Sequence, residues 1–239
     1  MLEGIKIENV LFIDIETAPA FADYKALPDH FKKCWDKKAK LLSKSEEETP
    51  EAIYDRAGIY AEFGKIICIC AGFISQTDGR KTLRIKSFAQ ENEKELLEEF
   101  TKLLNTHFNK NDQLLCAHNG KEFDFPYLIR RMLINGLPVP RMLDLAGKKP
   151  WEVQHLDTMD LWKFGDFKNY SSLELLSAAF GIPTPKDDIE GSDVCRVYWK
   201  EKDLPRIVKY CRKDVITIVQ IFLRYQGKPV INEEDIIFA

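Results

Sequence analysis

The chain of 239 residues has no CxxC pair, no long apolar run near its N-terminus and no large excess of either charge. Without a CxxC pair, its six cysteines predict neither a disulfide framework nor a zinc site, and buried, reduced thiols are expected. Acidic residues among the first 16 positions exclude a signal peptide or a spanning helix there, so a cytoplasmic protein without a membrane partner is expected. A net charge of -3 argues against binding to nucleic acid mainly through a large basic surface.

The chain also lacks internal repeats and low-complexity linkers, so residues 1–239 are predicted to form one domain. Apolar periodicity and turn residues predict strands at 10–15, 65–74, 82–88, 114–117 and 155–159. They predict helices at 92–107, at 126–135, from Ser171 and from Asp203 to Tyr225. Turns are expected at Ala18-Pro19 and Asp78-Gly79. This order of elements predicts an α/β fold, a mixed sheet flanked by helices.

A polar segment at about 21–60, rich in lysine and glutamate, separates the first two predicted strands. We expect it to be helical and to be an insertion between those strands. Its lysines fit a solvated helix face better than a contact with a phosphate backbone.

Two carboxylates follow the first apolar run, in the sequence VLFIDIET. Asp14 and Glu16 are two residues apart, so on a strand they point to the same face. They stand at the carboxyl end of that strand, where ligand crevices of α/β sheets lie. Like charges so close repel each other unless a cation bridges them. The same tripeptide pattern also occurs at solvated strand ends, so both interpretations stay open.

A third carboxylate, Asp124, follows the strand at 114–117 in the sequence HNGKEFDFPYL. A helix is predicted to begin at Pro126, and negative charge is favourable near a helix N-terminus. The amide of Asn119 can hydrogen-bond a substrate or a carboxylate. Phe123 fits either stacking on a base or packing in the core.

The fourth carboxylate, Asp214, lies four residues after Tyr210 on the last predicted helix, so the two share a helix face. That face borders the apolar stripe, where a cleft wall would lie. A fold that gathers four carboxylates needs a compensating charge, and the usual one is a pair of hard divalent cations. Such pairs cleave phosphodiesters.

These motifs, in this order, resemble those of a DEDD-type 3′–5′ exonuclease of the Tyr subclass (DEDDy). The resemblance is strongest to the proofreading exonuclease domain of family B DNA polymerases. It rests on residues 12–17 (FIDIET), 119–124 (NGKEFD), 210–214 (YCRKD) and, between them, 155–160, 171–173 and 181–183. The His subclass would have histidine at position 209, where this chain has lysine. No polymerase domain follows the last motif within the sequence, so the chain resembles a stand-alone relative.

The resemblance implies a ribonuclease-H-like fold and a metal-dependent 3′–5′ exonuclease that releases nucleoside 5′-monophosphates. It implies that two Mg²⁺ or Mn²⁺ ions are held by Asp14, Glu16, Asp124 and Asp214, with Asp14 bridging both. Tyr210 would orient the attacking water, and Thr17, Asn119 and Phe123 would grip the terminal nucleotide. The implied partner is a nucleic-acid 3′ end, with single-stranded or frayed DNA favoured over RNA.

Three other functions stay open on the sequence. They are a 3′–5′ exoribonuclease, a catalytically silent nucleic-acid-binding module of the same fold, and a small-nucleotide phosphohydrolase. The remaining acidic residues of the later motifs (Asp157, Asp160, Asp187 and Asp188) are expected to be structural. His118, at a strand end, is also expected to be a hydrogen-bonded structural residue rather than a general base.

Overall fold

The structure is a computed structural model that describes residues 2–45, 47–77, 79–166, 168, 170–183 and 189–239, without the side chain of Thr77. Its strands are β1 (Val10–Pro19), β2 (Gly64–Thr77), β3 (Arg80–Phe88), β4 (Leu114–Ala117), β5 (Leu156–Asp157) and β6 (Ile236–Phe238). Its α-helices are α1 (Asp29–Leu42), α2 (Glu93–His107), α3 (Asp124–Ile134), α4 (Thr158–Lys163), α5 (Leu173–Ala179), α6 (Val194–Arg196) and α7 (Leu204–Tyr225). A π-helical segment, Val197–Glu201, continues α6. Among the residues described, no helix is long and apolar enough to cross a bilayer.

The strands form one sheet in the order β5-β4-β1-β2-β3-β6. The β1/β2 and β2/β3 pairs are antiparallel, whereas β1/β4, β4/β5 and β3/β6 are parallel. The predicted mixed sheet flanked by helices is therefore confirmed.

Helices cover both faces of the sheet, and each face has its own apolar core. On one face, α7 packs against β1 and β2 through residues such as Phe12, Val215 and Phe222. On the other face, Ile13 and Ile15 pack with residues of α2 and α3. Successive side chains of β1 thus pack into opposite cores, as expected for a strand buried on both faces.

Strand β1 extends further than predicted, through Ala18 and Pro19, so the predicted turn there is wrong. Proline is tolerated because β4 pairs only with Val10–Phe12 and leaves one edge of β1 open. Ala20 N–H donates to Phe63 on the β2 side, so the Pro19 backbone faces the open edge. There the Trp199 indole N–H donates to Pro19 O at 2.9 Å.

Other element boundaries also differ from the predictions, and one strand was not predicted. The strand predicted at 155–159 is only Leu156–Asp157, because the Asp157 side chain caps α4 immediately afterwards. Helix α3 begins at Asp124, two residues before Pro126. Helix α5 is capped by Ser172, whose side chain accepts the Leu175 N–H, and not by Ser171. Strand β6 was not predicted, since three residues carry too little periodicity. Asp78 of the predicted Asp78-Gly79 turn lies outside the described residues.

The segment between β1 and β2 is helical, as predicted: it contains α1 and a 3-10 helix, Tyr54–Ile59. It has its own small core around Trp35, which is fully buried and makes edge contacts with Tyr54 and Phe63. The Tyr127 hydroxyl of α3 donates to Gly58 O at 2.7 Å and so attaches this segment to the main sheet.

Candidate active site

Strand β1 places Asp14 and Glu16 on the face that α7 covers. Their cross-strand partners on β2 are Cys70 and Cys68, whose side chains share that face. A ligand atom from each of Asp14, Glu16 and Cys211 of α7 lies within 4.8 Å of the other two. The Oδ2 atom of Asp14 is buried and has no hydrogen-bond partner among the described residues. A buried carboxylate oxygen without a donor is costly, so this atom is available for a ligand.

Asp124 reaches the same place from the other side of the sheet. Because β4 ends at Ala117, the edge of β1 beyond Phe12 has no strand partner within the described ranges. Asp124, at the first position of α3, accepts the backbone N–H of Ile15 through Oδ1 at 3.2 Å. This contact satisfies a backbone donor that the end of β4 leaves unpaired and brings the second motif to the first.

The third motif, residues 210–214, lies on α7. Asp203 caps this helix, with Oδ1 accepting the Arg206 N–H at 3.1 Å, as the sequence predicted. Two turns further on, Tyr210 lies beside Asp214, and its hydroxyl lowers the pKa of that carboxyl. Both side chains are half-buried at the edge of the packed face of the helix.

The four carboxylates perturb one another. Burial, followed by the negative charges of Glu16, Asp214 and Asp124, holds the pKa of Asp14 well above its ordinary value. Burial and the charges of Asp214 and Asp124 do the same to the pKa of Glu16. Burial also raises the pKa of Asp124 to about 7 and that of Asp214 to about 6. Raised pKa values in a group of neighbouring carboxyls are typical of a site that lacks positive charge.

Tyr210 stays protonated in these surroundings. Burial and the negative charges of Asp214, Glu16 and Asp14 raise its pKa above the ordinary value of 10. The hydroxyl is therefore a hydrogen-bond donor at neutral pH and not a base.

Asn119 lies in a tight turn between β4 and α3, with a left-handed φ of 60°. Its side-chain Oδ1 is buried, without a hydrogen-bond partner in the part of the chain that the structure describes. Asp157, itself buried, fixes this turn: its Oδ1 accepts the Asn119 N–H at 2.9 Å and its Oδ2 accepts the Lys121 N–H at 3.1 Å. Gly120 is required there, since a Cβ atom would lie 2.4 Å from Cβ of Ala117. The turn thus holds a free amide oxygen near Asp124.

The other two predicted substrate residues have protein contacts of their own. Phe123 is half-buried, packs at the edge of the α3 core and lies 5.3 Å from the Tyr127 ring. Thr17 follows a register shift in β1 and lies near the Tyr127 hydroxyl, whose pKa it lowers. Both therefore line the end of β1 while also supporting the fold.

Three further expectations concerned structural residues. His118 lies with its ring nitrogens 2.9 Å from Thr158 Oγ1 and Ser171 O, as a structural residue would. Asp160 contacts Lys163, with Oδ1 2.8 Å from Nζ. Asp187 and Asp188 lie outside the described residues.

The cysteines around the carboxylates were not predicted as neighbours of the site. Cys211 Sγ lies 3.4 Å from Asp14 O. The sequence held one signal for these neighbours, the alternation of Cys68 and Cys70 on a strand, but not their position opposite Asp14 and Glu16.

Four oxygen-donor side chains converge here from β1, α3 and α7. Carboxylate oxygens suit the hard ions Mg²⁺ and Mn²⁺. The unpartnered Asp14 Oδ2 and the raised pKa values both fit a site completed by divalent cations.

Comparisons with known proteins agree with this geometry. Residues 59–232 match a family described as "Predicted 3'-5' exonuclease related to the exonuclease domain of PolB". A DNA polymerase of Pyrococcus glycovorans is 23% identical over 135 residues, which are 51% of this chain and 17% of the polymerase. The structure of the family B DNA polymerase from Pyrobaculum calidifontis aligns with 91% of this chain and 24% of the polymerase. That alignment has a TM-score of 0.54 at 17% identity, which shows the ribonuclease-H-like fold of the exonuclease domain. The chain thus spans less than a quarter of either polymerase.

Proposed function

Since the chain belongs to the family of predicted 3′–5′ exonucleases related to the exonuclease domain of PolB, we propose that it hydrolyses nucleic acid from the 3′ end with divalent metal ions. The proposed substrate is single-stranded or frayed DNA, and the proposed product is a nucleoside 5′-monophosphate. DNA is preferred over RNA because the similar proteins are DNA polymerases.

One observation carries the proposal. Carboxylates from three distant parts of the sequence surround a buried Asp14 oxygen that has no hydrogen-bond partner. Ordinary packing does not offset the repulsion among four acids that are buried or partly buried, whereas divalent cations would. Asp14, Glu16, Asp124 and Asp214 are therefore the proposed ligands of two Mg²⁺ or Mn²⁺ ions. When bound, the ions would lower the pKa of a water and stabilise charge on the phosphate.

Tyr210 is proposed to position the attacking water. Its raised pKa keeps the proton on the hydroxyl, so the group can donate to a ligand but cannot accept the proton of the water at neutral pH. Its place on α7, one turn before Asp214, holds the ring beside the carboxylates.

Asn119, Phe123 and Thr17 are proposed to bind the terminal nucleotide. The free Oδ1 of Asn119 can accept a hydrogen bond from a sugar hydroxyl or a base. The half-buried ring of Phe123 offers a surface for stacking. Thr17, at the end of β1, would contact the last sugar. Residues 1–239 are proposed to act as one domain, with 21–60 as an insertion.

The test is a time course on 5′-labelled oligonucleotides of one sequence, as single-stranded DNA, frayed DNA, blunt DNA and RNA, with Mg²⁺, Mn²⁺ or chelator. We expect a ladder that shortens from the 3′ end, requires metal and is fastest on single-stranded or frayed DNA. The products should co-migrate with nucleoside 5′-monophosphates.

The matched variants are Asp14→Asn and Asp124→Asn, compared with Asp112→Asn in an exposed turn at the opposite end of β4. The first two should lose metal-dependent shortening and the third should keep it. Faster cleavage of RNA than of DNA would identify RNA as the preferred substrate. Activity retained in both site variants, or metal binding without any cleavage, would reject the exonuclease proposal in favour of another reaction or a silent module.

A further inference from the structure

Three thiols form a cluster directly behind the carboxylates. Cys68 and Cys70 come from β2 and Cys211 from α7, and all three side chains are fully buried. Their sulfur atoms lie within 4.8 Å of one another, and the Sγ atoms of Cys68 and Cys70 are 3.8 Å apart. None of the three cysteines is in a disulfide.

This spacing matches that of thiolates sharing one metal ion. Ligands at the usual Zn–S distance of about 2.3 Å in a tetrahedral site have sulfur–sulfur separations of about 3.8 Å. Ordinary packing requires no such convergence, because side chains at positions 68 and 70 leave the strand about 7 Å apart. The sulfur atoms of Cys68 and Cys70 instead lie close to each other and to the sulfur of Cys211.

The cluster is continuous with the carboxylate site. Cys211 belongs both to the thiol cluster and to the group that it forms with Asp14 and Glu16. Glu16 and Asp14 lie opposite Cys68 and Cys70 across the strand pair. Oxygen ligands thus face the open edge of β1, sulfur ligands face the core, and Cys211 joins the two sets.

We propose that Cys68, Cys70 and Cys211 form a binding site for a thiophilic divalent cation such as Zn²⁺, separate from the oxygen-only Mg²⁺ ligand set. Soft thiolates select Zn²⁺ over Mg²⁺, so the two sets discriminate by ligand chemistry. Asp14, half-exposed at the cleft, provides a route to Cys211. Binding exchanges the metal for thiol protons, which are released to the solvent.

A cation held by the thiols would compete for the neighbouring carboxylates. Asp14 and Glu16 would be drawn toward the thiol-bound metal and away from the cleft. This consequence rests on the proposed function: Zn²⁺ should inhibit the exonuclease, and excess Mg²⁺ should not restore activity, whereas a thiol-bearing chelator should.

The site is tested by binding, without any assay of activity. Cd²⁺, a probe for Zn²⁺, is titrated into the full chain under reducing conditions while the ultraviolet thiolate-to-cadmium charge-transfer band is recorded. We expect one equivalent of Cd²⁺ to generate the band, and Zn²⁺ to displace it. Cys68→Ala and Cys211→Ala should each lose most of the band.

The controls are Cys116→Ala, a buried cysteine on β4 outside the cluster, and Cys34→Ser, an exposed one. Both should keep the band. Because a cluster variant can fail to fold, X-ray absorption of the Zn²⁺-loaded wild-type chain gives a second readout. Three sulfur ligands at about 2.3 Å are expected.

The proposed site would be overturned if X-ray absorption shows only oxygen and nitrogen ligands around Zn²⁺. It would also be overturned if the wild-type chain gives no charge-transfer band with Cd²⁺. A band that survives in both folded cluster variants would overturn it as well. Cadmium binding by the thiols without any exonuclease activity would leave the site standing and reject only the proposed function.

Discussion

The backbone N–H of Ile15 donates a hydrogen bond to Oδ1 of Asp124 at 3.2 Å. The two residues are far apart in sequence, and the contact forms only where β4 stops pairing with β1. It fixes the carboxylate of α3 to the backbone between Asp14 and Glu16. The spacing of these three acids is therefore set by the strand edge and not by flexible side chains.

Asp124→Asn should change the pH dependence of stability in the metal-free protein. The pKa of Asp124 is raised to about 7 in the fold, against about 3.9 unfolded. Between these values the folded state holds the extra proton, so the wild type loses stability as pH rises from about 4 through 7. Asparagine does not titrate. The variant should be about as stable as the wild type near pH 4 and on the order of 2 kcal/mol more stable at pH 8.

Urea unfolding at several pH values, with chelator present, checks this difference. Asp112→Asn is the control for removing an aspartate outside the site. The free energies of unfolding of Asp124→Asn and the wild type should move apart as pH rises. If they do not, burial does not raise the pKa of Asp124.

Tyr210→Phe should slow turnover and leave metal binding nearly unchanged. The variant loses only the hydroxyl that is proposed to position the attacking water, and a hydrogen bond to a charged group is worth about 1.5–3 kcal/mol. If that energy acts in the transition state, kcat falls by about 10- to 100-fold. Mg²⁺ affinity is measured by calorimetry and kcat on single-stranded DNA.

The matched control is Tyr198→Phe, whose hydroxyl contacts Lys65 and not the acids. It should keep the wild-type kcat. In metal-free Tyr210→Phe, the pKa of Asp214 should rise further, because the neighbouring Tyr210 hydroxyl lowers it. A carboxyl NMR titration in which that pKa falls would contradict the assignment.

Asp157→Ala should destabilise the fold and weaken substrate binding together. The Asp157 carboxylate accepts four backbone N–H groups, from Asn119, Lys121, Met159 and Asp160. Leaving them unpaired should cost about 2–4 kcal/mol and release the Asn119 turn. Unfolding in urea and the KM for single-stranded DNA are the measurements. Asp160→Ala, at a half-exposed position, should cost less than about 1 kcal/mol. Equal effects of the two substitutions would contradict this role for Asp157.

Gly120→Ala should lower the melting temperature. The added Cβ would lie 2.4 Å from Cβ of Ala117 and 3.2 Å from the Phe125 ring, so the turn must shift. Overpacking of this kind costs about 1–3 kcal/mol. Gly4→Ala, where no atom lies within 4 Å of the new Cβ, is the control for thermal unfolding. An unchanged melting temperature for Gly120→Ala would contradict the requirement for glycine in this turn.

Local patterns in the sequence predicted the fold class, the helical segment between β1 and β2, and the α2 and α7 helices. Boundary predictions were wrong where a tertiary contact or the choice of a helix cap decided the boundary. Pro19 continues β1 because its backbone faces an open edge with Trp199 beside it. The strand at 155–159 was shortened because Asp157 caps α4, and Ser172 replaced Ser171 as the cap of α5.

The sequence by itself determined which residues share a local face. Two-residue spacing on β1 pairs Asp14 with Glu16, and four-residue spacing on α7 pairs Tyr210 with Asp214, since strand and helix periods are fixed by backbone geometry. Only the tertiary structure decided what meets across elements. The end of β4, the register of β1 with β2 and the placement of α7 bring Asp124 and the three thiols to the same carboxylates. Those contacts depend on strand register and helix docking, which no local spacing encodes.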